Sequence, residues 1–190
     1  MSDIFVPERQ RLILPFLEKF YSGFAEPLGW AAFRVTIGVS LIVAGWPKIQ
    51  APLAQAGFVE SLGMAPGWLF SPLLAAMQFF GGFMIAIGIL TRPIAFANAI
   101  MLLITLWFHM ANPYPEAFFS VEGLAFLQAN PDMLTPEAAK ALLADNGAMF
   151  GMRIQEKAIY ASLFWAAGAA LIAAFGGGYF SVDHKLKKEF

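Results

Sequence analysis

Cysteine is missing from all 190 residues, and histidine occurs only twice, at His109 and His184. The first absence excludes structural disulfides, thiol-redox motifs, covalent CxxCH haem and thiolate-held iron–sulfur clusters. The second leaves too few imidazoles for a metal or haem, so no metal site and no covalent cofactor are expected. Charge is scarce as well: charged residues make up 13 % of the chain, against about a quarter in soluble domains. A net charge of −1 gives a polyanion nothing to bind, and no nucleic-acid partner is expected.

What is abundant is apolar surface. With 59 % hydrophobic residues the chain reads as a single-domain integral membrane protein, surrounded by lipid. Its start, MSDIFVPERQRLILPF, places Glu8, Arg9 and Arg11 ahead of any apolar run, which is not a cleavable signal pattern, so the N-terminus is expected to be retained. A span needs about 20 apolar residues, and four stretches qualify: 27–47, 71–90, 93–110 and 156–176. The expected fold is all-α, an integral membrane four-helix bundle. A short interfacial helix precedes it, with Phe16, Leu17, Phe20, Tyr21 and Phe24 on one face, and a long, partly helical loop from Ala111 to Gln155 separates spans three and four. Ser71 with Pro72 is expected to cap the second span, and Thr135-Pro136-Glu137 to open a loop helix. Ala166, Ala170 and Ala174 are expected to form a close-packing seam on the fourth span, and Gly176 to Gly178 to end it.

The first span carries an arginine. Arg34, Gly38, Leu41, Gly45 and Lys48 recur at steps of four and three, one stripe on a 3.6-residue helix, and an Arg inside a span costs ~2.5 kcal/mol or more unless it has a partner. Asn98, Leu102, Thr105 and His109 make a second such stripe on the third span. Counted from Pro27 and Pro93, Arg34 and Asn98 both lie roughly 8–10 Å from the same membrane edge, so Asn98 is the expected partner in a buried polar tie. Two readings of Arg34 stay open, an internal tie between helices or a direct part in ligand chemistry.

Basic residues in the short flanks set orientation. Arg9, Arg11, Lys19, Arg92, Lys185, Lys187 and Lys188 share one side against Lys48, Lys140, Arg153 and Lys157 on the other, which puts both termini in the cytoplasm by the positive-inside rule. On the outer side Lys48, His109 and Glu156 end three spans, with Gln78 at similar depth. They suggest an apolar pocket, walled by Trp46, Trp107 and Tyr160, in which His109 and Glu156 exchange protons while Lys48 and Gln78 bind substrate. The blander reading is that Lys48 reaches out to water and Glu156 merely marks a helix start. A haem between His109 and His184 is disfavoured, because this topology puts them on opposite sides.

An Arg in the first span, Gly45-Trp46-Pro47-Lys48 at its end, Gly81-Gly82, Gly88-Ile89-Leu90-Thr91-Arg92 at a turn, and Gly176 to Gly178 ahead of Ser181 and Asp183 together resemble the DoxX family. That family includes the DoxD-type subunit of thiosulfate:quinone oxidoreductase. The resemblance implies a four-helix protein of bacterial or archaeal plasma membranes, associated with oxidoreductase partner subunits and in some cases with quinone. Where the family commonly has a glutamate ahead of the Gly-Gly pair this chain has Gln78, which can orient a ligand but not exchange a proton. Three classes follow: a quinone-interacting oxidoreductase subunit, a non-catalytic anchor or assembly protein, and a small-molecule permease, the last disfavoured for want of a continuous polar path. A homo-oligomer is compatible with each.

Overall fold

A computed structural model of the chain describes residues 13–114, 119–143 and 145–188. The N-terminal charges on which the signal-peptide and orientation readings lean, Glu8, Arg9 and Arg11, lie outside the described residues. The chain packs as two compact units, Met1–Met101 with Trp165–Phe190, and Leu102–Phe164.

The secondary structure among the described residues is helical. In chain order the α-helices of four residues or more are α1 Glu26–Gln50, α2 Ala56–Ser61, α3 Gly67–Ile87, α4 Thr91–Ala111, α5 Val121–Ala129, α6 Pro136–Leu143, α7 Ala148–Phe175 and α8 Val182–Lys185. Four helical runs, Pro15–Gln50, Gly67–Ile87, Thr91–Ala111 and Ala148–Phe175, are long and apolar enough to cross a membrane. The chain is therefore an all-α, multi-pass membrane protein. The amphipathic turn ahead of the first span is continuous with it, joined through a π-helical stretch at Tyr21–Ala25.

Within the first unit α1 packs against α3 through small residues. A Cβ on Gly38 would lie 2.6 Å from both the Ala86 nitrogen and the Gly82 oxygen, and one on Gly45 would lie 2.9 Å from the Phe79 nitrogen. Only glycine allows that approach, which dispersion between close backbones stabilises where lipid offers no hydrophobic drive. Of the expected inward stripe Arg34, Gly38, Leu41 and Gly45 are buried, together with Ile37, and Lys48 is half-buried.

Two expectations are corrected. Ser71 does not cap α3, which starts earlier at Gly67: the Glu60 carboxylate accepts the Gly67 N–H at 2.7 Å, and the Ser71 hydroxyl donates instead to the Pro52 carbonyl at 2.6 Å. Helix α2 thus supplies the cap that local sequence did not. On α7 the packed face is Ser162, Ala166, Ala169 and Ile172, while Ala170 and Ala174 are exposed. A strict four-residue repeat drifts about 40° per step on a 3.6-residue helix, which carries the later alanines off the seam.

Within the second unit the cap at Thr135 forms as expected, with Ala138 N–H on the Thr135 hydroxyl oxygen at 3.3 Å. Helix α7 begins at Ala148, ahead of the expected 156, because the Asp145 carboxylate accepts the Met149 N–H at 2.8 Å. Ser120 likewise caps α5 by accepting the Gly123 N–H.

Candidate functional site

Two polar groupings sit at opposite ends of the α1–α3 pair. At the first, Arg34 is 2 % exposed and donates from Nη1 to the Gly177 carbonyl at 2.5 Å and from Nη2 to the Phe180 carbonyl at 3.0 Å. This corrects the expected tie to Asn98. Asn98 is fully buried, as its stripe implied, but its Nδ2 donates to the Ile94 carbonyl of its own helix. Packing explains the choice: Asn98 lies against Gly81, where an added Cβ would sit 2.5 Å from Nδ2, so its amide is turned along α4 by the neighbouring helix.

Three residues beyond Phe180 stands a buried acid, Asp183. Asp183 holds the turn between α3 and α4: Oδ1 accepts the Leu90 N–H at 2.9 Å, and Oδ2 accepts the Thr91 N–H at 2.8 Å and the Thr91 hydroxyl at 2.6 Å. Its own N–H donates to the Gly88 carbonyl at 2.9 Å. A carboxylate from the far end of the chain thereby caps α4, satisfying amides that would otherwise be orphaned in a buried helix start. Gly88 is required twice over: it adopts φ +75, and a Cβ there would run into Arg34 Nη1 and the Ser181 side chain. Trp30 Nε1 donates to the Gly176 carbonyl at 3.0 Å, so Gly176 to Gly178 does more than end α7. The role of Asp183 was missed in the sequence although the residue stands in the quoted motif, since its partners are backbone amides and these leave no mark in composition.

At the other end the Lys48 ammonium donates to Gln78 Oε1 at 2.7 Å. Gln78 is 3 % exposed and Lys48 half-buried. These are two of the expected substrate-binding residues, and the structure brings them together: Gly45, one turn before Lys48, lets α3 approach closely enough for the bond. Trp46, the expected pocket wall, is 52 % exposed and stacks near Phe79 at 5.7 Å.

In the second unit His109 is half-buried, with its ring 6.3 Å from that of Tyr114, and its carbonyl accepts Gln155 Nε2 at 2.5 Å. Gln155 Oε1 also accepts the Tyr114 N–H at 3.0 Å, so this amide fastens the end of α4 to α7. Glu156, beside it, is exposed. Trp107 and Tyr160, the other expected pocket walls, are 61 % and 64 % exposed. No cluster of three His, Asp or Glu side chains able to hold a metal occurs among the described residues.

Residues 29–111 match the DoxX family model. The chain is similar to the inner membrane protein YqjF of Escherichia coli (strain K12), 32 % identical over 87 residues, a match covering 46 % of this chain and 65 % of that protein. No solved structure matches. The family match runs from α1 through α4 and ends before the fourth span, so Gly176 to Asp183 lies beyond it.

Proposed function

From the match of residues 29–111 to the DoxX family model we propose that the protein is a DoxX-type, quinone-interacting membrane subunit of an oxidoreductase complex, with the electron-donating cofactor on a partner subunit. The observation that carries the reading is the Lys48–Gln78 bond, a cation and an amide joined at 2.7 Å near the end of a membrane-spanning pair. An ammonium has three donors, of which Gln78 takes one. A quinone carbonyl is an acceptor of suitable chemistry for another.

Reduction of a quinone to the quinol takes two electrons and two protons. The electrons come from the partner's cofactor, and His109 and Glu156 are the residues to which we assign proton exchange, since Gln78 can only orient. Trp107 and Tyr160, both exposed, are the residues to which we assign contact with the quinone tail where it lies in lipid. Both termini face the cytoplasm in this reading, and the bilayer is a bacterial or archaeal plasma membrane, in line with the name of the curated relative. The glycine-packed α1–α3 interface favours a second reading, a membrane anchor or assembly protein needing no small-molecule site.

The deciding experiment is quinone reduction by the complex purified with its native donor subunit, comparing His109→Ala and Glu156→Gln with wild type at equal expression. Slower reduction in both variants with the partner still bound is the expected result. Unaltered rates in both would replace this reading with the anchor.

A further inference from the structure

A cavity of about 180 Å³ opens in the first unit beside the Gly176–Gly178 turn, where Arg92, His184 and Lys188 line it. It is separate from the Lys48–Gln78 pair. Its walls are unusual for so apolar a chain, because they gather two full-time cations and an imidazole around bare backbone. Gly176, at φ +81, is what gives Arg92 room: a Cβ there would lie 3.0 Å from Arg92 Nε. Among the described residues no hydrogen bond or ion pair engages the Arg92 guanidinium.

The one acid on the cavity wall is Asp183, and it is already committed. Both its oxygens are taken by the Leu90 and Thr91 amides and the Thr91 hydroxyl. The cavity wall thus sets two cations and an imidazole against a single carboxylate whose oxygens already accept three hydrogen bonds. Its size suits a phosphate group with attendant water, each water occupying about 30 Å³ in the liquid. The surroundings are interfacial: Tyr179 and Phe180 are 63 % and 50 % exposed, the Tyr179 ring lies 4.8 Å from that of His184, and Trp30 anchors on Gly176. Exposed aromatics beside cations at a span end mark headgroup depth.

We propose that this cavity binds a phosphate group, with Arg92 and Lys188 supplying charge and His184 a ring donor, and that an anionic phospholipid headgroup presents it. Arg is suited to a phosphate because its planar fork can donate two parallel bonds. Basic pockets at span ends hold lipid phosphates by this chemistry.

The test uses the full-length protein purified in neutral detergent, with native mass spectrometry against phosphatidylglycerol, phosphatidylcholine and, in a separate arm, inorganic phosphate. Phosphatidylglycerol should be retained in preference to phosphatidylcholine, and the double variant R92Q/K188Q should bind it about tenfold or more weakly, while K140Q in the loop helix α6 behaves as wild type. Inorganic phosphate that binds with the same variant dependence would support the phosphate site but assign it to the free ion. Should R92Q/K188Q yield too little folded protein, hydrogen exchange of the wild type replaces it: phosphatidylglycerol or phosphate should slow exchange across residues 176–184 and phosphatidylcholine should not. The proposal is overturned if the variant holds phosphatidylglycerol as well as wild type does, or if neither probe slows that segment.

Discussion

The two ends of the α1–α3 pair handle polarity in opposite ways. At one end Arg34 and Asp183 are engaged by backbone, through carbonyls at Gly177 and Phe180 and amides at Leu90 and Thr91. Backbone partners cannot rotate away, and glycine at Gly88 leaves no slack around them. At the other end Lys48 and Gln78 are joined by a single bond between two flexible side chains, which a ligand can break and replace. On the proposed reading Arg34 holds the fold and the Lys48 end is the one that exchanges partners, even though a charge in a span would draw equal suspicion at either place.

Mutation should widen that contrast. The largest effect is expected from Gly88→Ala, which combines a left-handed backbone with a Cβ directed into Arg34 and Ser181. A loss above ~3 kcal/mol is expected from strain and overlap together, read as collapse of the monodisperse peak in detergent. Asp183→Ala should follow at about 2–4 kcal/mol, since it uncaps α4 and strands the Leu90 and Thr91 amides and the Thr91 hydroxyl; Asp183→Asn should recover part of that. Arg34→Leu should cost about 2–3 kcal/mol by stranding two carbonyls, whereas Val35→Leu, on a side chain 42 % exposed, should stay within about 0.5 kcal/mol. Thermal unfolding in a single detergent ranks all five. An equal response to Arg34→Leu and Val35→Leu would erase the distinction between the ends.

Sequence alone reached part of this. The stripe from Arg34 to Lys48 was legible because small and polar residues recurring at helical spacing have a single geometric meaning; depth put Lys48 and Gln78 in one cluster, but the bond between them was not foreseen. The partner of Arg34 was not legible. Depth matching pointed to Asn98, a side chain, but the acceptors are carbonyls 143 and 146 residues away in sequence, and every residue has a carbonyl. The cap on α4 was hidden for the same reason, as was the start of α3, whose amide is satisfied by Glu60 from a different helix. Ala170 and Ala174 show a different failure, a repeat counted in whole fours where the helix turns at 3.6.

Among the substitutions of buried or half-buried polar groups the smallest stability effect should belong to Lys48→Met, within about 1 kcal/mol for one neutralised hydrogen bond in a half-buried position. It should have the largest effect on ligand. The direct measurement of the central claim is binding of a short-chain quinone to the purified protein in lipid nanodiscs, by titration calorimetry, for wild type and Lys48→Met with melting recorded on the same samples. Loss of a charged hydrogen bond to a carbonyl predicts at least about tenfold weaker binding with nearly unchanged melting. Wild-type affinity in Lys48→Met, or no quinone binding by the wild type, would contradict the assignment of this end to ligand.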